Sequence, residues 1–340
     1  MIVMNVLFVY RNDSAGYSIQ RCFKTIEEYF SKVDVGINII SISLPCKRAY
    51  PHHLLIDIIY VIFHLFKRKY DIIHVTGGCP HVMFVKPICR LLGVKMVSTI
   101  HDLGFYNPNN TSLINKWHYY VGVKSLRFAD NLIFISDATK EEANRLYSIS
   151  NIPYKIIGDP VDPNITNRKR QFNIDNPVIL HIGTHQRKNL EGTIKALKGL
   201  RYQLRIIGDL SESQLKCLKD NGTYFTQVAN LTSAEIIDEY FNCDIVSFPT
   251  FYEGFGMPII EAQATGRPVV TSNISPMKDV AGKQAVLVDP FDISSIRKGF
   301  EYAMDNYDTI VEFGLQNVKR YKVESIATEY LLLYKSLLSK

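Results

Sequence analysis

No two cysteines in the 340-residue chain stand in C-x-x-C spacing. The six that occur, Cys22, Cys46, Cys79, Cys89, Cys217 and Cys243, are scattered among apolar neighbours. This argues against a disulfide framework or a cysteine zinc site and implies reduced, buried thiols of a cytosolic protein. Long apolar runs are also missing. The most apolar helical stretch, residues 53–66, contains Asp57 and His64 and is too short to span a bilayer. Residues 1–10 have no basic n-region and no small-residue cleavage site, so they read as a first β-strand rather than a signal peptide. G-x-G-x-x-G is absent after that strand, which ranks a nicotinamide-dependent dehydrogenase low. Internal repeats and low-complexity tracts are lacking. Charged residues are only 21% of the chain, and the net charge of +6 is too small and diffuse to imply nucleic acid.

What is present is a globular composition. Hydrophobic residues make up 46% and the mean hydropathy is −0.02, enough apolar side chain for two cores. Short β-branched runs alternate with longer helical patterns. Expected strands are 5–10, 37–43, 71–76, 95–100 and 131–135, then 178–182, 203–207, 224–228, 244–248, 268–271 and 285–288. Most are continuously apolar, as parallel strands buried on both faces are. The units are therefore βαβ, and the fold class is α/β with two doubly wound Rossmann-like domains. Residues 158–177, rich in Pro, Asn, Asp, Arg and Lys, form the best linker candidate. The expected domains are 1–165 and 166–322, with a terminal amphipathic helix in 323–340 that must pack on something. The charge is unevenly divided. Residues 1–165 hold 18 Lys+Arg against 13 Asp+Glu, whereas residues 166–340 hold 21 against 20.

Doubly wound domains bind ligands beyond the carboxyl ends of their strands. The densest such segment follows the strand 244–248 and runs Pro249-Thr250-Phe251-Tyr252-Glu253-Gly254-Phe255-Gly256-Met257-Pro258-Ile259-Ile260-Glu261. Gly254 and Gly256 permit a tight turn and close backbone approach to a ligand. Pro258 fits the first position of a helix and Gly266 the residue past its last turn, so the helix spans about 258–265. Its N-terminus is a seat for a phosphate. Glu253 and Glu261 are acceptors for sugar hydroxyls.

These residues resemble the E-x7-E signature of retaining glycosyltransferases of family 4, which have the GT-B fold of two Rossmann-like domains facing across a cleft. The resemblance continues through Gly266-Arg267-Pro268-Val269-Val270-Thr271-Ser272, Val280-Ala281-Gly282 and Val288-Asp289-Pro290-Phe291-Asp292. It covers most of residues 178–292 and, more loosely, residues 1–165. It implies that Glu253 with Gly254, Phe255, Gly256 and Met257 holds the donor sugar, and that Glu261 binds the ribose hydroxyls. It implies a nucleotide-diphosphate sugar, GDP- or UDP-linked, as donor, and a glycan or lipid-linked acceptor, as in cell-surface polysaccharide assembly. His101-Asp102-Leu103 resembles a segment common among the family's mannosyltransferase-like members.

After the strand 178–182 comes Gly183-Thr184-His185-Gln186-Arg187-Lys188-Asn189. A glycine after a strand, followed by cations at a helix start, suits a phosphate. The resemblance assigns pyrophosphate contact to Lys188, with Arg187 as a second candidate. Many relatives carry arginine where this chain has Thr184. In the first half, the loop 11–18 carries a single glycine, Gly16, where the family has a glycine-rich loop. His101, after the strand 95–100, is placed by the resemblance beside the donor sugar, and Asp102 could orient it or cap the following turn. Ser136 or Asp137 reads as a helix cap.

Asp-x-Asp occurs nowhere in the chain. Arg187, Lys188 and helix dipoles can take the pyrophosphate charge instead, so no catalytic metal and no cofactor is expected. Family resemblance implies retention at the anomeric carbon by front-side attack. A sugar-nucleotide epimerase or a non-catalytic partner subunit would share the fold. Residues 53–66, flanked by Lys47-Arg48 and Lys67-Arg68-Lys69, and the mixed aromatic and cationic segment 115–128 suit either peripheral contact with an anionic membrane or ordinary packing on the sheet. The expected location is cytoplasmic, with such contact on the inner face of the cell membrane.

Overall fold

The computed structural model describes every residue except 1, 2, 12–16, 47–50, 78, 104–108, 148, 150 and 340. The chain divides into two compact units, Met1–Pro160 with Val323–Lys340, and Val161–Lys322.

The first unit contains β1 (Met4–Tyr10), α1 (Tyr17–Lys32), β2 (Ile37–Ser43), α2 (Pro51–Lys67), β3 (Ile72–Val75), α3 (Lys86–Leu92), β4 (Lys95–Ile100), α4 (Leu113–His118), β5 (Asn131–Phe134), α5 (Asp137–Leu146) and β6 (Tyr154–Ile156). Its six parallel strands lie in the order β2-β1-β3-β4-β5-β6. The second contains β7 (Val178–Ile182), α6 (Leu190–Ala196), β8 (Gln203–Ile207), α7 (Glu212–Asp220), β9 (Phe225–Val228), α8 (Ser233–Asn242), β10 (Ile245–Phe248), α9 (Met257–Thr265), β11 (Val269–Ser272), α10 (Met277–Ala281), β12 (Val286–Val288), α11 (Ile293–Asp305) and α12 (Tyr307–Asn317). Its parallel order is β12-β11-β10-β7-β8-β9. The last helix, α13 (Val323–Leu338), returns to the first unit and packs on α1.

All eleven expected strands are present, with ends moved by a residue or so. The twelfth, β6, went unread because it has three residues and an exposed Tyr154, and pairs only along β5. Its strand character comes from the neighbour, not from its own pattern. The mixed segment expected at 115–128 is three local geometries in succession. These are α4, a π-type turn Tyr119–Val123 and a 3-10 turn Lys124–Phe128. Ser136 caps α5 through its hydroxyl, which accepts from the Thr139 N–H at 3.2 Å.

Central strands are buried on both faces. In the first unit Leu7, Val9, Ile73, Val75 and Met96 pack with Val61 and Leu65 of α2. In the second, Ile179, Leu204, Ile206, Ile245 and Val270 pack with Leu190, Ile194, Ile296 and Phe300. Each such side chain contributes about 1.5–3 kcal/mol over leaving it in water.

Buried polar groups complete the cores. His74 on β3 bonds Tyr334 Oη of α13 at 2.6 Å and Thr99 Oγ1 at 2.8 Å. His181 on β7 lies 3.1 Å from Ser247 Oγ. Burial lowers both histidines to about 3, so both are neutral near pH 7. Arg267, 2% exposed, donates to the carbonyls of Cys243, Arg168, Thr265, Gly266 and Phe241 at 2.8–3.0 Å. It thereby serves the carboxyl ends of α8 and α9, where carbonyls lack helical partners and the dipole is negative. Of the cysteines, Cys22, Cys79, Cys89 and Cys243 are buried and Cys46 and Cys217 are half-buried, all six as free thiols.

Candidate functional site

Strand order in the second sheet runs from β7 outward to β9 on one side and from β10 outward to β12 on the other. The loops after β7 and β10 therefore leave adjacent strands toward opposite flanks, which opens a crevice between them. Both loops carry residues singled out from the sequence.

The loop after β7 begins at Gly183, with φ +87°. A Cβ there would stand 3.1 Å from Lys188 Cγ, so the bare glycine lets the lysine fold back across the strand end. A short 3-10 turn, Gln186–Lys188, follows, and Asn189 at φ +59° starts α6. The Asn189 amide donates to the carbonyls of Pro249 (3.0 Å) and Pro290 (2.8 Å), tying the loops after β7, β10 and β12 together.

Lys188 Nζ donates to Glu253 Oε1 at 2.7 Å, and Arg187 stands 3.6 Å from Glu253 Oε2. Thr250 Oγ1 donates to the same Oε1 at 3.0 Å and lies 2.8 Å from the Arg187 carbonyl. The Phe251 N–H donates to that carbonyl at 2.8 Å. Glu253 is buried, whereas Arg187 is exposed. Lys188 lies over the Phe248 ring at 4.6 Å. Burial pushes the Lys188 ammonium below its ordinary value, and the Glu253 carboxylate pulls it back up. The array joins two cations and one carboxylate across the β7 and β10 loops.

Gly256 caps α9 with φ +108°, and Gly266 ends it with φ +73°. The helix starts at Met257, one residue before the expected start, with Pro258 within its first turn. Of the two loop glycines, Gly256 is the one in the left-handed region, so the need for a glycine's freedom falls there and not on Gly254. Phe255 is buried, edge-on to Tyr321. Glu261, one turn into α9, is buried, and its Oε2 accepts from Tyr240 Oη at 2.7 Å. Thr184 is tied down as well. Its hydroxyl donates to the Asp209 carbonyl at 2.6 Å, and its own carbonyl accepts from the Gln214 amide at 2.6 Å.

In the first unit, His101 follows β4 and is 8% exposed. Its Nε2 lies 3.2 Å from Asp159 Oδ1, so the ring donates there when Nε2 carries the proton. Of the two roles open to Asp102, orienting the ring falls to Asp159 instead. Asp102 is exposed, and the partner comes from 58 residues downstream. His101 Nδ1 is buried without a hydrogen-bond partner among the described residues. A Cβ on Gly77 would stand 2.8 Å from it. Gly16 lies outside the described residues.

The structure thus brings Gly183, Arg187, Lys188, Glu253 and the α9 start together. Sequence reading missed Thr250, Asn189, Tyr240 and Asp159. Nothing in spacing marks these four, because each acts by reaching a different loop or helix. Thr250 and Asn189 stood inside the two loops already singled out, the one cue available.

Comparison with known proteins adds the following. The family described as "Glycosyl transferases group 1" matches residues 164–319, and "Glycosyltransferase Family 4" matches residues 18–165. An O-antigen chain mannosyltransferase B of Escherichia coli is 30% identical over 173 residues, 46% of this chain and 45% of that protein. The match therefore spans less than half of that relative's length. Among solved structures, sucrose-phosphate synthase from Thermosynechococcus elongatus has a TM-score of 0.78 at 15% identity, covering 99% of both chains. Anabaena HepE, solved with UDP and glucose, has a TM-score of 0.76 at 17% identity, covering 98% of this chain and all of that one.

Proposed function

The chain belongs to the group 1, family 4 glycosyltransferases, and on that premise we propose that it moves a sugar from a nucleotide-diphosphate sugar to a glycan or lipid-linked acceptor in cell-surface polysaccharide assembly. The observation that carries the reading is the 2.7 Å contact between Lys188 and Glu253, made where strand order reverses. It sets cations for a pyrophosphate beside a carboxylate for a sugar hydroxyl. HepE, of the same fold, was solved with UDP, which supports a nucleoside diphosphate as the donor's handle.

In this reading Lys188 and Arg187 turn from Glu253 to the pyrophosphate and take its growing charge as the glycosidic bond breaks. The N-terminus of α9 adds its dipole. Glu253, relieved of one partner, accepts from a donor-sugar hydroxyl. Glu261, held in one rotamer by Tyr240, accepts from the ribose. In the first unit, His101, steadied by Asp159 at the end of β4, is the candidate residue. Transfer proceeds with retention and without a metal.

The test is thermal unfolding of the whole protein with UDP, GDP and their sugars, followed by anomeric analysis of the product. A selective shift with one nucleotide and a product of the donor's configuration are expected. Absence of a shift with every nucleotide overturns the donor assignment. An inverted product overturns retention, and loss of activity in a chelator overturns metal independence.

A further inference from the structure

Charge and exposure single out a surface of the first unit that has no part in the donor site. Residues 35–129 contain eleven Lys and Arg against three carboxylates, a formal +8 that exceeds the net charge of the whole chain. Lys86 is buried and paired with Asp130 and Lys95 lies on β4, and none of the three carboxylates pairs with the segment's other described cations. Asp57 is buried against His81 (3.0 Å), Asp71 accepts from the Asn5 N–H beside the sheet, and Asp102 follows β4 at the strand ends.

The same layer exposes apolar side chains. On α2, Leu54, Val61 and Leu65 face the core, while Leu55, Ile56, Ile59, Phe63 and Phe66 are exposed. At 100° per residue these five fall within one stripe about 100° wide, so α2 carries a second apolar face turned to solvent. Phe63 and Phe66 are each 61% exposed. Lys67, Arg68 and Lys69, all exposed, continue from the stripe's end.

The stripe does not stand alone. The 3-10 turn Pro80–Val85 packs against α2, α3 and both turns that follow α4. This continuous layer adds exposed Phe84, Leu91 (76%), Leu113 (82%), Ile114 and Tyr120. Lys124 lies 4.5 Å over the Tyr120 ring, and Arg90, Lys116 and Arg127 are exposed beside them. Monomeric proteins rarely expose apolar patches of more than about a few hundred Å². No described helix is long and apolar enough to cross a membrane, so a surface of this kind can only lie upon one.

We propose that this layer, centred on α2, docks the protein on an anionic lipid bilayer, with Ile59, Phe63 and Phe66 entering the headgroup boundary and Lys67-Arg68-Lys69 meeting lipid phosphates. Charge complementarity selects this occupant over a second copy of the chain. A two-fold dimer through the layer would set its cations against themselves. The surface is independent of the nucleotide reading, which can fail without affecting it.

The experiment is flotation of the full chain with vesicles of phosphatidylcholine alone or mixed with phosphatidylglycerol, together with F63S/F66S and K67E/R68E/K69E variants. These positions are exposed, so unfolding profiles should match the parent. Binding to the mixed vesicles is expected, weakened by added salt. The charge reversals should lower binding by about fivefold per cation, and the serine pair by at least tenfold. Three results overturn the proposal. One is no flotation at low salt, and another is flotation that neither variant reduces. The third is a concentration-dependent dimer, dispersed by F63S/F66S, in place of lipid binding.

Discussion

The two sheets use one architecture and tie their strand ends differently. Each has six parallel strands that reverse order beside the unit's first strand, β1 in the first and β7 in the second. Each buries a neutral histidine bonded to hydroxyls of neighbouring elements. In the first unit both nitrogens of His74 are satisfied because Tyr334 arrives from α13, some 260 residues later. In the second, His181 Nε2 has no partner among the described residues. Around the strand ends the contrast inverts. The second unit ties three loops through Asn189 and sets the Lys188–Glu253–Arg187 cluster across two of them. In the first, the described side-chain ties at the strand ends include the Thr76 hydroxyl on the Val9 carbonyl at 2.8 Å and the His101–Asp159 contact at 3.2 Å, with no described cluster of two cations on one carboxylate there. A preorganised charged array needs such cross-bracing, because unpaired charges in a partly buried crevice are costly. The second unit has the form of a rigid seat for a charged ligand.

The sharpest way to break this contrast is at Arg267. Replacing it with leucine removes a buried donor shared by five carbonyls, and about 3–5 kcal/mol of stability should be lost. Denaturant unfolding followed by hydrogen exchange in each unit checks this. The loss should concentrate in Val161–Lys322, and an even loss would show that the bracing is not local. Next comes Glu253→Gln, which keeps an acceptor for Lys188 but removes the charge. Turnover should fall by about 10²–10³-fold with the fold intact, and unchanged steady-state rates would remove Glu253 from the donor seat.

The smallest effect, taken per pH unit, concerns the two histidines. Each has a folded value near 3 against an ordinary 6.5, so the unfolded chain binds more protons in that interval. Stability contributed by the neutral rings is therefore whole above pH 6.5 and declines as pH falls toward 3. The decline approaches about 1.4 kcal/mol per pH unit for each histidine. Urea midpoints measured across that range should show it, and His74→Gln should lower the slope by about 1.4 kcal/mol per pH unit. A slope unchanged by His74→Gln would mean that the first unit's histidine is not the buried neutral group its partners suggest.

The sequence by itself determined the α/β class, eleven of the twelve strands and the two loops that carry the candidate site. Those features are local. Continuous apolar runs report strands buried on both faces, a proline and a glycine bound α9, and the E-x7-E spacing places two carboxylates on one strand–loop–helix unit. Tertiary structure alone decided which groups those side chains meet. Asp159 rather than Asp102 holds His101, and Tyr240 holds Glu261, because hydrogen bonds form between atoms brought near by folding, not between neighbours in the chain. Only tertiary structure could separate the two apolar faces of α2. Periodicity marks a residue as apolar, while burial depends on which side the sheet occupies, and here one side is left to solvent.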